Sequence, residues 1–170
     1  RGRRCHKPRP RLPSEGMMIQ FDGSKHLWFG DTKTDLIAGI DDATGIVVAG
    51  EFFYGETSNH SLKVIREITD NYGLPESFYM DQASMYGKID KECESQISRA
   101  FDQTGIRLIL AGSSQAKGRI ERLWRTFQDR LIAELSLYGI KDFDEANKYL
   151  KEVFIPAYNL KFSVKAECME

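Results

Sequence analysis

Three acidic residues that are far apart in the sequence have the side chains and positions needed for metal-assisted chemistry. Asp22 and Asp81 each end a predicted strand, and Glu121 lies on a long predicted helix. If the two strands run parallel as neighbours, their carboxyl ends meet at the sheet edge where open α/β sheets bind ligands. Glu121 lies beside the buried stripe of its helix, where its side chain can lean toward that edge. Each residue also fits a plainer role, because aspartates are common in turns and glutamates are common on exposed helix faces.

Carboxylates that converge on one point repel one another and raise each other's pKa values unless cations cancel their charge. Oxygen ligands with open coordination positions suit Mg²⁺ or Mn²⁺, which keep bound waters and reach substrate phosphates. Two such ions roughly 4 Å apart can activate an attacking oxygen and stabilise the leaving one during phosphoryl displacement. Convergence of Asp22, Asp81 and Glu121 therefore predicts phosphodiester chemistry.

The hydrophobic pattern predicts the elements that would hold these residues. Asp42–Gly45 is a turn signal between two strands, and Thr57 or Ser58 can cap a helix that stops at Tyr72. Predicted strands cover 17–22, 36–41, 46–54, 77–81 and 106–110, and predicted helices cover the segment that ends at Tyr72, a stretch near 97–101, about 115–138 and about 143–158. This order predicts an α/β fold with a mixed five-stranded sheet, three antiparallel strands then two parallel, and helices on both faces.

Individual side chains carry further expectations. We expect Asp41 and Asp42 to be turn residues, Trp124 to lie in the core, and Trp28 to be free to contact a partner. Residues 84–94 mix glycine with charges and predict a mobile loop. The apolar residues of the long helix fall on one stripe that should be buried: Ile120, Leu123, Phe127, Leu131 and Tyr138.

Four short segments surround the three acidic residues: Ile19–Ser24, Ile40–Gly45, Met80–Gln82 and Ser114–Arg122. Together they resemble the DDE catalytic core of bacterial insertion-sequence transposases and retroviral integrases. The likeness covers residues 17 to about 163. The most specific part of the likeness is the motif formed by Ser114, Gln115, Gly118 and Glu121. This motif is specific because two strand-end aspartates precede it in the sequence.

The resemblance implies an RNase H-like fold in which Asp22, Asp81 and Glu121 are the catalytic residues and hold two Mg²⁺ or Mn²⁺ ions. Asp22 would bridge both ions, while Asp81 and Glu121 would each hold one. It also implies a polynucleotidyl transferase that nicks the ends of a DNA element with water and then joins the freed 3′-hydroxyl to target DNA. The implied partners are transposon-end and target DNA and further copies of the chain, in a homodimer or higher multimer.

The chain departs from the retroviral pattern at several points. Asp81 and Glu121 are separated by 39 residues, more than is usual for the family, and we assign the extra length to residues 84–94, where insertions cost little. Ser114 and Trp124 stand where retroviral relatives often have proline and asparagine. The zinc-binding His/Cys module of those relatives has no counterpart here. These departures keep the three acids and affect the expected detail of DNA contact.

Basic and polar residues around Glu121 are candidates for DNA binding, because side chains that neutralise phosphates dominate affinity for DNA. Lys117 is the first choice, because it lies one helical turn before Glu121. Gln115, Arg125 and Gln128 are predicted to add contacts. The remaining arginines of this helix fit an ordinary solvated face better: Arg119, Arg122 and Arg130.

Composition limits what the chain can be. With 170 residues, 24 Lys and Arg and 25 Asp and Glu, it fits one globular domain of near-neutral charge. Residues 1–15 form a basic, proline-rich arm of charge +5, and we expect a linker there, a catalytic core over 16–170, and an upstream DNA-binding domain outside this sequence. No run approaches the ~18 apolar residues of a membrane span. Three scattered cysteines predict no disulfide framework and fit a bacterial cytoplasmic protein that acts at the nucleoid.

Two other classes of protein fit the same residues. An RNase H-like nuclease would share the three acids but never join 3′ ends. A DNA-binding or assembly module without catalysis would keep the fold and gain no stability from Mg²⁺. A transposase core, in contrast, should both bind the metal and transfer strands.

Overall fold

The structure is a computed structural model. It describes the backbone of residues 9–55, 57–81, 91–111 and 118–168; within these ranges the side chains of Ser58, Asp81, residues 91–97 and Ala111 are not described. No helix in these ranges is long and apolar enough to cross a membrane.

A mixed sheet of five strands forms the centre of the fold. The strands are β1 (Ile19–His26), β2 (Thr34–Asp41), β3 (Val47–Phe53), β4 (Ser77–Asp81) and β5 (Arg107–Ala111). Their order in the sheet is β3-β2-β1-β4-β5. The β1–β2 and β2–β3 pairs are antiparallel, while β1–β4 and β4–β5 are parallel, as the sequence predicts. The helices are α1 (Ser58–Asn71), α2 (Lys91–Thr104), α3 (Gly118–Leu137), α4 (Phe143–Tyr149) and α5 (Ile155–Phe162), with a π-helical turn at Leu150–Phe154 between the last two.

Local sequence signals set several of these limits. The Thr57 side chain accepts a hydrogen bond from the His60 backbone N–H at 3.3 Å and so caps α1. Beyond α1, Gly73 has a φ of 105°, which side chains other than glycine rarely allow. The turn after β2 is held by Asp41, whose carboxylate accepts from the backbone N–H and the hydroxyl of Thr44, each at 2.7 Å. The predicted turn role of Asp41 is confirmed.

The helices differ from the sequence-based prediction in three places. The π-helical turn divides the predicted helix at 143–158, and helical backbone continues past Pro156 to Phe162. Residues 91–94, predicted as part of a loop, instead begin α2, while residues 84–90 lie outside the described part of the chain. In α3 the predicted buried residue Tyr138 is 64% exposed, because the helix ends at Leu137 and Leu135 fills the core instead.

Each face of the sheet carries its own hydrophobic core, so the prediction of helices on both faces is confirmed. On one face α1 and α2 contribute residues such as Ile68 and Phe101. On the other face α3, the π-helical turn and α5 pack Phe127, Leu150 and Ile155 against strands β2 and β3. Burial of such residues gives the main stabilising free energy of the fold.

Two asparagines hold the outer edge of β3, the strand at one end of the sheet. The Asn159 side chain bonds to the backbone N–H and C=O of Val47 at 2.8 and 3.0 Å. Asn147 does the same at Phe52, at 2.8 and 3.3 Å. The α4–α5 segment therefore uses backbone groups of an edge strand that would otherwise face outward.

An ion-pair cluster ties β3 to α1 and to the π-helical turn. Glu51, on β3, accepts hydrogen bonds from Lys151 at 2.7 Å and from Lys63, and Lys151 also bonds to Glu67 at 2.8 Å. Burial raises the pKa of Glu51, but the hydrogen bonds from Lys151 and Lys63 outweigh it and hold that pKa below its usual value. The ionised carboxylate is therefore favoured by the folded state.

The Lys151→Met variant tests this cluster. Because the pKa of Glu51 is lower in the folded than in the unfolded state, its contribution is full above about pH 4.3 and is lost as the pH falls through the folded-state pKa. At pH 7 we expect the variant to lower Tm by about 3–6 °C, the scale of a charged hydrogen bond in a chain of this size. Circular-dichroism melts between pH 3 and 8 measure the difference from wild type, which should shrink at the acid end. A difference that stays constant with pH would contradict the assignment.

Candidate active site

Asp22 and Asp81 occupy matched positions on neighbouring parallel strands. In the β1–β4 ladder Gln20 pairs with Tyr79, and each aspartate lies two residues beyond that pair. Adjacent strands are about 4.8 Å apart, and residues two apart share a face of the sheet. By this register positions 22 and 81 fall on the same face of the sheet, two residues beyond the last pair of the ladder.

The expectation that Asp22 ends its strand is wrong. β1 continues to His26, because Asp22 and the four residues after it pair with β2 in an antiparallel ladder that reaches Thr34. Asp22 is thus held within regular backbone rather than in a turn. Asp81, in contrast, ends β4 as predicted.

Helix α3 is fixed across β1 by two polar contacts on the same face of the strand. The Trp124 indole N–H donates to the Asp22 carboxylate at 3.3 Å. Four residues earlier in the helix, the backbone N–H of Ile120 donates to the Gln20 side-chain oxygen at 3.2 Å. The N–H groups of a first helical turn have no partner within the helix, so Gln20 caps α3 from the strand. The role of Gln20 was not predicted, although a polar residue inside the apolar run 17–22 was a usable signal.

Glu121 lies between the two contact points, directly after Ile120 and three residues before Trp124. Residues three apart on a helix are neighbours, with Cβ atoms about 5–6 Å apart. Glu121 is therefore a helical neighbour of the residue that touches Asp22, and its side chain is exposed at this end of α3.

Oxygen-only ligands at these three positions would suit a hard divalent cation. Among the side chains that the structure describes, no group of three His, Cys, Asp or Glu is arranged to hold a metal ion. The Asp81 side chain is outside that set, so the three-residue site stays a prediction. What the described atoms provide is a fixed Asp22 and a helix held next to it.

The predicted DNA-binding residues fall into two groups. Lys117 and Gln115 lie outside the described residues, immediately before α3. Arg125 is exposed and Gln128 half-buried, one and two helical turns beyond Glu121, or about 6 and 10 Å along the axis. The described pair therefore continues the face that Glu121 begins.

The solvated role expected for Arg119 is wrong. Its side chain is only 12% exposed, and its Nε donates to Asp42 at 2.7 Å. Asp42 is fully buried, so its role exceeds the predicted turn residue. Arg122 and Arg130 are exposed, and the Arg130 guanidinium lies 5.1 Å from the centre of the Phe162 ring. The distance of 77 residues between Arg119 and Asp42 left no local signal of their contact.

The expectation that Trp28 is free to contact a partner is wrong, because its side chain is fully buried. Its ring packs 5.9 Å from Phe52 and 6.3 Å from Trp124, and its indole N–H donates to the Ser24 carbonyl at 3.0 Å. The predicted core position of Trp124 is confirmed. The two tryptophans together support α3 over β1, which explains why both are large and aromatic.

Two curated transposases are similar in sequence to this chain. The chain is 37% identical over 169 residues to y4bF of Sinorhizobium fredii, a transposase by name, and 37% identical over 172 residues to the transposase for insertion sequence IS1202 of Streptococcus pneumoniae. These alignments include 95% and 97% of the chain. The chain is therefore similar in sequence to one part of two transposases. It spans 37% of the length of each of these transposases. No family model matches the chain.

The fold of the chain is similar to that of retroviral integrase catalytic cores. The HTLV-2 integrase catalytic core domain, in complex with magnesium and in dimeric form, aligns with a TM-score of 0.62 and 16% identity. The alignment covers 79% of this chain and 82% of that one. The predicted RNase H-like class is confirmed.

A double-mutant cycle between Trp124→Phe and Asp22→Ala tests whether the indole hydrogen bond fixes α3 on β1 in this core. Phe keeps the ring in the aromatic cluster but removes the N–H donor, so each variant breaks the same contact. Residues in direct contact couple by about 0.5–3 kcal/mol, and we expect a value in that range from urea unfolding. Additive effects of the two substitutions would show that the contact does not hold the helix. Thr69→Ala, an exchange on α1 outside this contact, serves as the additive reference with Trp124→Phe.

Proposed function

We propose that the chain is the catalytic core of an insertion-sequence transposase that nicks element ends and joins the freed 3′-hydroxyl to target DNA. One observation carries the proposal: Asp22 and Asp81 are matched on parallel strands, and α3 is bonded to Asp22 through Trp124, three residues from Glu121. The names of the two transposase relatives support the activity. Because the chain spans only part of their length, the activity of the whole protein belongs to the proposal.

In this mechanism Asp22, Asp81 and Glu121 hold the metal. Bound Mg²⁺ or Mn²⁺, one pair per site, would supply a Lewis acid for the attacking and leaving oxygens of an in-line phosphoryl displacement. The magnesium in the HTLV-2 integrase core supports a divalent cation. Asp22, held by the Trp124 indole, keeps its carboxylate in one orientation, which lowers the cost of ligand ordering. Asp22 would serve both ions, and Asp81 and Glu121 would each serve one.

DNA and further copies of the chain are the proposed partners. Arg125 and Gln128 on α3, and Lys117 and Gln115 before it, would contact the DNA backbone next to the three carboxylates. The HTLV-2 integrase core in dimeric form supports assembly as a homodimer or higher multimer. A DNA-binding domain upstream of residue 16 would supply recognition of the element ends.

The test is a strand-transfer assay with the protein that contains this chain, an oligonucleotide of the element end, a plasmid target and Mg²⁺ or Mn²⁺. The proposal expects cleaved ends and covalent end–plasmid joints. Cleavage without joints would support an RNase H-like nuclease instead. Neither cleavage nor joints, with DNA still bound, would support a module without catalysis.

The substitutions Asp22→Asn, Asp81→Asn and Glu121→Gln should each abolish both nicking and joining, because each removes a charge that the metal requires while keeping the side-chain volume. We expect losses of at least about 1,000-fold, the size seen when a group essential to the chemistry is removed. Glu152→Gln, an exposed carboxylate on the π-helical turn, is the matched control and should keep wild-type rates. Activity that survives one of the three exchanges removes that residue from the site.

The substitution Lys117→Ala should weaken DNA binding at low salt without lowering Tm. If Lys117 neutralises one phosphate, the slope of log affinity against log salt becomes less negative by about 0.9. Fluorescence anisotropy at several salt concentrations measures the slope. Lys148→Ala, an exposed lysine on α4, is the control with an unchanged slope. An unchanged slope for Lys117→Ala would make it an ordinary surface residue.

A further inference from the structure

A buried carboxylate, Asp42, lies at the centre of a polar cluster beneath the start of α3. Asp42 is fully buried in the turn that follows β2. Its Oδ1 accepts from Gln20 at 2.8 Å, from the Arg119 Nε at 2.7 Å and from Arg9. Its Oδ2 accepts from the backbone N–H of Leu12 at 2.9 Å. We call the side chains of Gln20, Asp42, Arg119 and Arg9 the Asp42 cluster.

The cluster reaches the first turn of α3 along two routes. Gln20, 1% exposed, donates its amide N–H to Asp42 and accepts the Ile120 backbone N–H with its oxygen. Arg119 joins the same carboxylate directly. Because the Gln20 side-chain nitrogen donates to Asp42, the Gln20 side-chain oxygen is the atom that accepts from Ile120. The orientation of the Gln20 amide is thus linked to the position of α3.

The charge of the Asp42 carboxylate holds the two arginines of the Asp42 cluster in place. A lone buried carboxylate is costly, and the two arginines that compensate Asp42 are drawn toward it in a medium where charges interact strongly. Arg119 can move away only by leaving Asp42 with fewer partners. Helix α3 is therefore held by contacts at residues 119, 120 and 124, and Glu121 lies between the contacts at 120 and 124.

We propose that Asp42, Gln20 and Arg119 are positioning residues that set where Glu121 stands relative to Asp22. The inference rests on the proposed function for its consequence in catalysis, but the contacts that carry it are independent of activity. The segment 9–12 takes part, since Arg9 and Leu12 bond to the same carboxylate. The backbone carbonyl of Arg9 also accepts from Arg119 at 3.2 Å. Segment 9–12 therefore contacts α3 directly through this carbonyl and indirectly through the Asp42 carboxylate.

Arg119→Met is the main test variant, because methionine keeps the apolar stem and removes the charge and the donors. Gln20→Met is the second, in case the first is too unstable. Lys151→Met, which disrupts an ion-pair cluster on β3, α1 and the π-helical turn, is the matched control for a general loss of stability. Arg119→Lys, which keeps one donor for Asp42, is the rescue variant.

In the strand-transfer assay we expect Arg119→Met to lower kcat about 10–100-fold with KM for DNA unchanged within about twofold, the size expected when the support of a metal ligand is lost. Arg119→Lys should recover most of that loss, and Lys151→Met should keep the wild-type kcat. A rise in KM with constant kcat would make Arg119 a DNA contact and overturn the inference. Equal kcat losses in Arg119→Met and Lys151→Met would also overturn it, because both would then reflect stability alone.

Hydrogen exchange separates this inference from the proposed function. In Arg119→Met the Ile120 amide should exchange at least about tenfold faster than in wild type, while the Phe52 amide, bonded to Asn147, keeps its rate. In Lys151→Met the ratio of the Ile120 exchange rate to the Phe52 exchange rate should stay as in wild type. Unchanged Ile120 exchange in Arg119→Met and Gln20→Met overturns the positioning role, whatever the activity. Absence of nicking and joining in the wild type, with faster Ile120 exchange in the variants, overturns only the proposed function.

Discussion

The parallel register between β1 and β4 is the constraint on which the rest of the candidate site depends. Side chains alternate between the two faces of a strand, so a slip of one residue would send position 22 or position 81 to the opposite face. The pairing of Gln20 with Tyr79 fixes this phase. The same phase aims both Gln20 and Asp22 at α3, where one caps the helix and the other receives the indole N–H of Trp124. Strand pairing and helix docking are thus two results of a single alignment.

Local patterns were enough to predict most of the fold. Ser77–Asp81 is a short apolar run bounded by turn residues, and its predicted limits are those of β4. The cap at Thr57 and the turn at Asp42–Gly45 were predictable because their hydrogen bonds are made within a few residues. For the same reason the element order was predictable before any long-range contact was known.

The features that the sequence could not provide depend on contacts between distant residues. Arg119 looked like a solvated arginine, because its partner Asp42 is 77 residues away. Trp28 looked exposed, because the rings that bury it, Phe52 and Trp124, come from another strand and from α3. The length of β1 beyond Asp22 is set by pairing with β2 and not by its own composition. At the candidate site the three acids stay a prediction, and the contacts of Gln20, Trp124 and Arg119 that hold α3 could not be read from the sequence.

The asparagine contacts along β3 have a consequence for how copies of this protein can associate. Open strand edges invite pairing with another chain, which is a route to aggregation and to domain swapping. Here four amide hydrogen bonds from Asn147 and Asn159 engage backbone groups at both ends of the edge strand. A foreign strand would have to displace them before it could extend the sheet on that side. Extension of the sheet by a second copy is therefore disfavoured at the β3 edge.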